Sequence, residues 1–491
     1  MILYILGHTY KYETEKVIRL FYPVEKITAV TKDFPSEDKR AVYTYVKEEE
    51  EAVIFSCKAL IDGKTAEYSF SYIKDSLDSP SHRERLLAKA VVRVLREITG
   101  IVPPWGILTG IRPAKLMRGY INSEGKEKAE EIFRDFFEVS EEKTALAKSV
   151  AEYENISIAM SGKNSFSLYI SIPFCPTRCS YCSFVSHSVE SAKKLIPDYV
   201  EKLSEEIRLT GKIARETCLV PETVYIGGGT PTAFSAEDLI KITSAVREAF
   251  DMEKVREFTV EAGRPDTIDE KKLLAIKNAG VTRISINPQT FSDSVLKAVG
   301  RPHTAEDTIE KFLLARRLGF DNINMDLIAG LPTDTPESFK KSIDKAIELS
   351  PENITVHTLS LKRSASLVTE NEADGICTLT EEMVNYANKC LSENGYTPYY
   401  MYRQSKSVGN LENVGWCKKG KPCLYNIYMM EEIHTVLACG ASAVTKLKNE
   451  ETLERVYNYK YPYEYISRFS DMVDRKEEIR RFYGIKQVPE A

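Results

Sequence analysis

Short runs of alternating apolar and polar residues open the chain, and they are rich in β-branched and aromatic side chains. Four of them, MILYILG, AVYTYVKE, EAVIFSCKAL and TAEYSFSYI, are typical of β-strands. From Arg83 to Ile98 the apolar residues recur at helical spacing instead, and Gly100 ends the helix that this spacing predicts. Two more helical stretches follow around 124–137 and 140–152. We therefore predict a separate N-terminal α+β domain over 1–160.

From Ser167 onward, strand and helix patterns alternate regularly. Strands rich in apolar residues are predicted at 167–172, 223–227, 257–262, 282–287, 322–328 and 353–359. Helices are predicted near 195–215, 235–250, 268–279, 292–299, 305–318 and 336–348. Strand–helix units in series predict an α/β fold with a parallel sheet and right-handed crossovers. Because there are six units and not eight, the pattern favours a partial (β/α)6 barrel over 161–375.

A third region, 376–491, follows the strand–helix units and is predicted to cover the mouth of the barrel. Its patterns, in chain order, are a helix at 379–394, an aromatic stretch at 396–404, a Gly/Lys-rich loop at 409–422, the hydrophobic segment 438–444 and a charged tail. In that tail, the charged run from Asp474 to Glu478 predicts an exposed helix with ion pairs four residues apart.

The composition is that of a globular protein, with 43% hydrophobic and 28% charged residues among 491. A formal net charge of −5 gives no electrostatic basis for a general nucleic-acid binder. No apolar run approaches the ~18 residues of a membrane span. The apolar opening MILYILG lacks the basic region of a secretory signal and is better explained as a first strand. The chain is therefore expected to be cytoplasmic, without a membrane or nucleic-acid partner.

Three of the ten cysteines, Cys175, Cys179 and Cys182, lie within eight residues as C-x3-C-x2-C, directly after the first barrel strand. In a reducing compartment such a cluster indicates metal binding or redox chemistry. Three thiolates can hold three irons of a [4Fe–4S] cluster and leave the fourth iron open to a ligand. The alternatives are a zinc site, with His187 as the one candidate for a fourth ligand, and a disulfide.

A glycine-rich turn, Gly227-Gly228-Gly229-Thr230-Pro231-Thr232, closes the second strand. Successive glycines let a ligand approach the backbone, whose polar groups can then bind it. The segment lacks the Gly-Lys-Ser/Thr of a P-loop, so a nucleotide-phosphate site of that kind is excluded. Read alone, the turn could also be an ordinary strand-to-helix connection.

The cysteine motif in its strand context resembles that of the radical S-adenosylmethionine (SAM) enzymes. In that superfamily it follows the first strand of a partial (β/α)6 barrel, the open iron binds SAM, and an electron from the cluster cleaves SAM to a 5′-deoxyadenosyl radical. The segments YISIPFC, GGGTPT, VEAGRPDT, ISINPQTF and NMDLIAGLPTDTPESF together resemble the oxygen-independent coproporphyrinogen III oxidase (dehydrogenase) family, over roughly residues 165–450. The N-terminal domain and the stretch YRQ…GNLENVGW resemble the HemZ-type branch of that family.

The resemblance implies a set of SAM-contacting residues. The predicted contacts with the cluster-bound SAM are Tyr169, Tyr181, Gly228, Gly229, Thr230 and Glu261, of which Tyr169 and Glu261 are also the predicted catalytic residues. A second SAM is implied at Gln289, Arg301 and Asp326, with further SAM contacts at Ser360 and Val444. The placement agrees with the predicted fold, because Glu261, Gln289 and Asp326 are expected at the C-terminal ends of strands, where such barrels build sites. Taken singly, each polar residue could equally be a loop cap or an exposed ion-pair partner.

The resemblance also implies an activity, the oxidative decarboxylation of two propionates of coproporphyrinogen III to give protoporphyrinogen IX without oxygen. The implied partners are a tetrapyrrole substrate and a low-potential reductant such as flavodoxin or ferredoxin, and we expect a monomer. Two alternatives stay open. One is a radical SAM methyltransferase that acts on haem, and the other is a haem-binding chaperone.

Two positions depart from the family pattern. Phe184 stands where well-known members carry a fourth cysteine. The stretch Tyr425–Met430 has no histidine where the haem-chaperone branch has His-Asn-x-x-Tyr-Trp, which argues against the chaperone.

Other residues have two explanations from the sequence. Cys417 and Cys423 are reduced loop thiols or ligands of an auxiliary cluster, and His303 is a helix N-terminal neighbour or a base. The aromatic and cationic candidates for a macrocycle with carboxylates, each equally explained as strand or surface, are Tyr399, Tyr400, Tyr402, Lys362, Arg363 and Arg403.

Overall fold

The computed structural model describes residues 1–23, 25–31, 39–76, 80–182, 184, 186–360, 370–404 and 407–484. The chain forms two compact units. The N-terminal unit comprises Met1–Ala151, Ser360–Glu381 and Tyr402–Glu412, and the barrel unit comprises Glu152–Leu359, Glu382–Met401 and Asn413–Ala491. The division into domains at 1–160, 161–375 and 376–491 stays a prediction.

The N-terminal unit is built on a five-stranded sheet in the order β2-β1-β3-β4-β5. Its strands are β1 Ile2–Leu6, β2 Thr28–Val30, β3 Arg40–Glu48, β4 Ala52–Ile61 and β5 Lys64–Ile73. Strand β1 runs parallel to β2 and β3, and β3, β4 and β5 form antiparallel pairs. All four predicted strands are present. The sequence analysis missed β2, whose three residues are too few for alternation to register.

One long helix packs on this sheet. The helices that begin in this part of the chain are α1 Lys11–Ile18, α2 Pro80–Thr99, α3 Pro113–Glu124, α4 Lys126–Glu131 and α5 Glu141–Ala159. Leu86 and Leu87 of α2 join Val53 and Phe55 of β4 in a buried cluster. The helices predicted at 83–98 and 140–152 are confirmed as α2 and α5, whereas the stretch at 124–137 is α4 followed by a π-helical turn.

The barrel unit carries a larger sheet in the order β14-β15-β13-β12-β11-β10-β9-β6-β16-β17-β18. Its strands are β6 Ser165–Ile172, β9 Val220–Gly228, β10 Glu257–Glu261, β11 Arg283–Ser285, β12 Ile323–Ala329, β13 Asn353–Thr358, β14 Thr397–Arg403, β15 Glu412–Cys417, β16 Thr435–Cys439, β17 Val444–Lys448 and β18 Leu453–Tyr457. A separate two-stranded ladder pairs β7 Phe174–Cys175 with β8 His187–Ser188.

The six predicted barrel strands, β6 and β9 to β13, lie side by side in chain order and are parallel throughout. Strand β16 adds a further parallel neighbour on the other side of β6. In the described residues the sheet ends at β14 on one side and β18 on the other, so it is a partial barrel and not a closed one. The predicted partial (β/α)6 fold is thus confirmed, and because its strands are parallel their carboxyl ends meet at one edge.

Helices connect these strands and cover the sheet. They are α6 Val189–Ala192, α7 Ile196–Glu216, α8 Ala236–Ala249, α9 Glu270–Asn278, α10 Asp293–Ala298, α11 Ala305–Arg317, α12 Pro336–Leu349, α13 Glu370–Glu393, α14 Leu424–Met430, α15 Pro462–Ser467 and α16 Phe469–Phe482. Local chemistry fixes several starts. Thr304 and Asp307, for example, exchange hydrogen bonds in a capping box that begins α11. Among the described residues, no helix combines the length and apolar content needed to cross a membrane.

The charged tail is helical, as predicted, but its exposure was predicted wrongly. Lys476 of α16 is 2% exposed, and its ammonium lies 2.9 Å from the equally buried Glu206 carboxylate of α7. The pairs within this helix, Glu477 with Arg480 and Glu478 with Arg481, are three residues apart and not four. A charge pattern alone does not reveal that one cation faces inward to a buried carboxylate.

Candidate functional site

The cysteine loop, residues 173–182, leaves the carboxyl end of β6 and is held against two neighbouring turns. The Gly229 amide donates to the Ile172 carbonyl at 2.8 Å, and the Thr230 amide donates to the Phe174 carbonyl at 2.7 Å. On the other side, the Ser180 amide donates to the Val299 carbonyl at 3.1 Å. Backbone hydrogen bonds therefore hold the loop between the turn after β9 and the turn after α10.

Cys175, Cys179 and Cys182 are free thiols and are each half-buried. Two of the sulfur atoms already have donors, since the Thr230 hydroxyl lies 3.4 Å from the Cys175 Sγ and the Arg264 guanidinium 3.8 Å from the Cys179 Sγ. Hydroxyl and guanidinium donors stabilise thiolate, which is the form that binds iron. The donor set thus fits a [4Fe–4S] cluster.

No group of three or more His, Cys, Asp or Glu side chains among the described residues is arranged to hold a single metal ion. A tetrahedral zinc site needs four ligands on one ion, and the zinc alternative with His187 stays a prediction. In an iron–sulfur cubane each cysteine binds a different iron, so the thiols need not converge on one point. Phe184, at the position of the family's fourth cysteine, is 64% exposed.

The glycine-rich turn packs directly on the cysteine loop. A Cβ atom at Gly229 would lie 2.5 Å from the Phe174 carbonyl oxygen, and one at Gly227 would lie 2.8 Å from the Glu261 carboxyl carbon. Gly228 has φ +109°, in the region that favours glycine. Gly227 and Gly229 are therefore required by the chain's own packing. The sequence had suggested another reason for these glycines, which was the close approach of a ligand to the backbone.

Three tyrosines, which we call the tyrosine stack, lie beside this turn: Tyr169 of β6, Tyr225 of β9 and Tyr425 of α14. The rings of Tyr225 and Tyr425 are 4.5 Å apart and nearly parallel, and Tyr169 is 6.2 Å from Tyr425. Tyr425 is held there because the Glu257 carboxylate of β10 accepts from the amides of Leu424 and Tyr425, at 2.7 and 3.2 Å. The sequence analysis identified Tyr169 only.

Glu261, at the end of β10, contacts this stack through Tyr225, whose hydroxyl donates to the Glu261 Oε1 at 2.5 Å. Burial raises the pKa of the Glu261 carboxyl to about 7, and the Tyr225 hydrogen bond opposes part of that rise. A carboxyl group with such a pKa exchanges its proton near neutrality, and a pKa perturbed in this way is typical of a functional site.

Gln289, which follows the carboxyl end of β11, lies next to Asp326, which is inside β12 and not at the strand end where it was predicted. The Gln289 amide donates to the Asp326 carbonyl at 2.8 Å, and Gln289 has φ +66°. Its buried Oε1 has no hydrogen-bond partner among the described residues. A left-handed backbone at a non-glycine residue and an unsatisfied buried acceptor are both costly, and both are typical of ligand sites.

The Asp326 carboxylate has polar neighbours of its own. It accepts from the Asn324 amide at 2.7 Å and lies 3.8 Å from the His357 Nε2. Burial by itself would raise the pKa of Asp326, but His357 and Asn324 lower it below its ordinary value. Asp326 is therefore ionised at neutral pH. The sequence analysis missed His357, because a single histidine within a strand carries no motif.

Arg301 is buried beneath the cysteine loop. Its guanidinium donates to the Gly263 carbonyl at 2.9 Å and to the Tyr181 hydroxyl at 3.3 Å. The structure thus joins two predicted site residues, Arg301 and Tyr181, on one side of the loop.

Ser360 and Val444 have other neighbours. Ser360 pairs with Ser407 in an isolated bridge and belongs to the N-terminal unit, and Val444 pairs with Tyr457 at the start of β17. Neither residue has a described contact with the cysteine loop or the tyrosine stack, so their role as SAM contacts stays a prediction.

A further buried group lies after β10 and joins His303, which the sequence analysis named, to Arg264 and Asp266, which it did not single out. The Arg264 guanidinium makes two hydrogen bonds of 2.9 Å with the Asp266 carboxylate, and the buried His303 lies 3.6 Å from the same carboxylate. Burial would raise the pKa of Asp266, but His303 and Arg264 hold it well below its ordinary range. Arg264 and Asp266 lie in the segment VEAGRPDT, which the family resemblance had marked without giving a role to either residue.

Several other candidates have structural explanations. Arg403 is buried and donates to the carbonyl oxygens of Leu108 at 2.6 Å and Asn410 at 2.9 Å. Burial raises the pKa of the Cys417 thiol to about 12, and Cys423 is likewise buried with its Sγ 3.4 Å from Glu257. Cys417 ends β15 and Cys423 precedes α14, so neither lies in a loop of its own, and the choice between reduced thiols and ligands of an auxiliary cluster stays a prediction.

The aromatic stretch is a strand. Tyr399 and Tyr400 of β14 are buried, and a Cβ atom at Gly415 would collide with the Tyr400 ring. The cationic candidates Lys362 and Arg363 lie outside the described residues.

Comparisons with known proteins show which chains this one is similar to. A family model described as the radical SAM superfamily matches residues 169–346. The oxygen-independent coproporphyrinogen-III oxidase-like protein HemZ of Bacillus subtilis is 39% identical over 393 residues, which cover 78% of this chain and 78% of HemZ. The haem chaperone HemW of Lactococcus lactis is 36% identical over 239 residues, which cover 48% of this chain and 60% of HemW. Among solved structures, coproporphyrinogen III oxidase (HemN) from Escherichia coli, a radical SAM enzyme, gives a TM-score of 0.49 at 21% identity, over 66% of this chain and 73% of that chain.

Proposed function

Because this chain belongs to the radical SAM superfamily and, within it, to the oxygen-independent coproporphyrinogen-III oxidase-like family, we propose that it oxidatively decarboxylates coproporphyrinogen III. Each of two propionates would lose a hydrogen atom to a 5′-deoxyadenosyl radical, one electron to a one-electron acceptor, and CO2, which leaves the vinyl groups of protoporphyrinogen IX and consumes no oxygen. The observation that carries this proposal is the 39% identity to HemZ over 78% of both chains.

Cys175, Cys179 and Cys182 would hold three irons of a [4Fe–4S] cluster and leave the fourth iron for SAM. Their fit rests on three free, half-buried thiols, two of which already have a polar donor at the sulfur. When bound, the cluster and SAM together supply a 5′-deoxyadenosyl radical that can take a hydrogen atom from an unactivated carbon. The protein's part is to position the substrate carbon and to exclude water.

Glu261 is suited to hold a ribose hydroxyl or the amino group of SAM, because the Tyr225 hydroxyl and the Gly228 backbone fix the direction of its carboxylate at the end of β10. Tyr169 and the backbone of Gly228, Gly229 and Thr230 would complete this first SAM site. The buried, unsatisfied Oε1 of Gln289, with the ionised Asp326 beside it, supports a second polar ligand. We propose that Gln289, Arg301 and Asp326 hold a second SAM molecule.

The substrate would be a flat tetrapyrrole with several carboxylates. Reduction of the cluster would need a low-potential one-electron donor, for which flavodoxin and ferredoxin are the expected classes. Both partners are proposed from the family and from the chemistry of the site.

A haem-binding chaperone is the second candidate, favoured by the 36% identity to HemW over 48% of the chain. The segment that matches the haem-chaperone motif gives a contrary observation. It forms α14, in which Tyr425 is packed in the tyrosine stack and the buried Tyr428 donates to the Glu222 carboxylate at 2.7 Å. These side chains are engaged with the barrel, which supports the enzymatic proposal.

The test is anaerobic incubation of the reconstituted protein with SAM, dithionite and coproporphyrinogen III, followed by mass spectrometry. We expect 5′-deoxyadenosine and two successive losses of carboxyl mass from the tetrapyrrole. A ring-opened, methylated product from haem would identify the methyltransferase instead. Stoichiometric haem binding without any change to the tetrapyrrole would identify the chaperone.

Two cysteine variants separate the radical chemistry from the substrate assignment. Cys179→Ala is expected to abolish 5′-deoxyadenosine formation, whereas Cys218→Ala removes an exposed cysteine outside the loop and should change nothing. Formation of 5′-deoxyadenosine by Cys179→Ala would contradict the cluster assignment. Formation by the wild type with no change in the tetrapyrrole would overturn only the substrate.

A further inference from the structure

Arg264 lies outside the cysteine loop, and its cationic side chain contacts a cysteine sulfur of that loop. Its Nη1 lies 3.8 Å from the Cys179 Sγ and 3.4 Å from the Thr177 carbonyl oxygen. Both terminal nitrogens also lie 3.2 Å from the Thr177 hydroxyl. The guanidinium therefore forms hydrogen bonds with the part of the loop that lies between Cys175 and Cys179.

The orientation of this guanidinium is fixed from behind. Asp266 accepts two hydrogen bonds from it, through Nε and Nη2, in the parallel geometry that arginine and carboxylate favour. Arg264 is 4% exposed, so water does little to screen its charge. Thr177 in turn donates to the Gly300 carbonyl at 3.4 Å, which joins the same loop to the turn before His303.

We propose that Arg264 is a positioning residue that sets the reduction potential of the cluster held by the cysteine loop, and that Asp266 moderates its effect. This inference rests on the cluster of the proposed function and not on the identity of the substrate. It adds a specific charge pair to that function, outside the cysteines and the SAM contacts.

The sign of the effect follows from electrostatics. One-electron reduction by dithionite takes a [4Fe–4S]2+ cluster to the 1+ state, so the cluster with its thiolates gains one negative charge. A nearby buried cation stabilises the more negative state and makes the cluster easier to reduce. The carboxylate of Asp266 lies behind the guanidinium and weakens that influence. Removing the cation should therefore lower the potential, and removing the carboxylate should raise it.

The experiment compares three variants of the full chain after anaerobic reconstitution of the cluster. Arg264→Gln removes the cation, and Asp266→Asn removes the moderating negative charge while it keeps the size of the side chain. Arg264→Lys keeps the cation but loses the pair of hydrogen bonds that the guanidinium makes with Asp266. Iron content is measured for each, and the midpoint potential is found by a redox titration followed by electron paramagnetic resonance. Matched controls are Arg208→Gln and Glu248→Gln, which remove the same charges from an exposed ion pair of α7 and α8.

We expect Arg264→Gln to shift the reduction equilibrium about tenfold toward the oxidised cluster, which is ~59 mV for a one-electron couple. Asp266→Asn should shift it in the opposite direction, and Arg264→Lys should stay near the wild type. Both uncharged variants break the same ion pair, so a purely structural role would move their potentials in the same direction and overturn the proposal. Unchanged potentials would overturn it as well.

Three further outcomes keep the test decisive. If Arg264→Gln does not assemble a cluster, the sign of the shift in Asp266→Asn decides alone. If the wild type itself assembles no [4Fe–4S] cluster, the cofactor of the proposed function fails together with this inference. A wild type that assembles the cluster but leaves coproporphyrinogen unchanged would leave the inference standing and overturn only the proposed substrate.

Discussion

The Tyr225 hydroxyl donates a 2.5 Å hydrogen bond to the carboxylate of Glu261, across two neighbouring parallel strands. The register of β9 and β10 pairs Tyr225 with Thr259, two residues before Glu261 on the same face of the sheet. Tyr225 is thus a positioning residue for a carboxylate that the family resemblance assigns to SAM.

Tyr225→Phe should weaken SAM binding about tenfold, because the Glu261 carboxylate loses the donor that fixes its direction. The dissociation constant of SAM for the reconstituted protein, measured by equilibrium dialysis, checks this. Tyr457→Phe, at an exposed tyrosine of β18, is the control. An unchanged dissociation constant in Tyr225→Phe would show that Glu261 does not depend on its neighbour.

The raised pKa of Glu261 predicts a dependence of stability on pH. In the folded state this carboxyl has a pKa of about 7, against 4.5 for the ordinary group, so the folded state holds its proton more tightly than the unfolded chain. Its contribution is fully present below pH ~4.5 and is lost as the pH rises through ~7. Relative to Glu261→Gln, the wild-type free energy of unfolding should fall by on the order of 3 kcal/mol between pH 4.5 and 8.

Urea denaturation of the cluster-free protein at several pH values measures this difference, and Glu253→Gln, at an exposed glutamate between α8 and β10, serves as the control. Parallel pH profiles for the wild type and Glu261→Gln would contradict the assigned shift.

The buried ion pair of Lys476 with Glu206 should make the C-terminal helix essential to stability. Glu206 also accepts from the Gly440 amide at 2.7 Å and the Tyr465 hydroxyl at 2.6 Å. Lys476→Met leaves that carboxylate buried without its cation, which typically costs about 3–5 kcal/mol. The midpoint of urea denaturation should fall accordingly.

Glu206→Gln combined with Lys476→Met should recover part of this loss, because no charge is then left buried. Lys202→Met, at an exposed pair on the same helix α7, should cost less than about 1 kcal/mol. Equal effects of Lys202→Met and Lys476→Met would contradict the importance of burial.

Gly229→Ala should disturb the cysteine loop and not the fold as a whole. The added Cβ atom would meet the Phe174 carbonyl at 2.5 Å, one residue before Cys175. We expect the iron content after reconstitution to fall several-fold while far-ultraviolet circular dichroism stays unchanged. Gly119→Ala is the control, because nothing lies within 4 Å of its new atom and alanine favours helix α3. Full iron content in Gly229→Ala would show that the loop can adjust.

The sequence alone determined much of this protein. The spacing of apolar residues, every second residue in strands and about every 3.6 residues in helices, located the strands β6 and β9 to β13 and the helices between them. This works because each element buries one face, and the apolar residues of that face recur at regular spacing along the chain. The three cysteines and the glycine turn were equally visible, since their chemistry depends on spacing within a few residues. Of the residues in the candidate site, those in local motifs or at strand ends were found.

Only the tertiary structure decided the rest. Strand β16 lies beside β6 although about 270 residues separate them in the chain, and no local pattern records such a pairing. Tyr225, Arg264 and His357 belong to the site because of the groups that they contact on other strands and turns. Lys476 is buried because it forms an ion pair with Glu206 on another helix. A side chain's charge state and partners depend on what the fold brings within a few ångströms, and the sequence around that side chain does not contain this information.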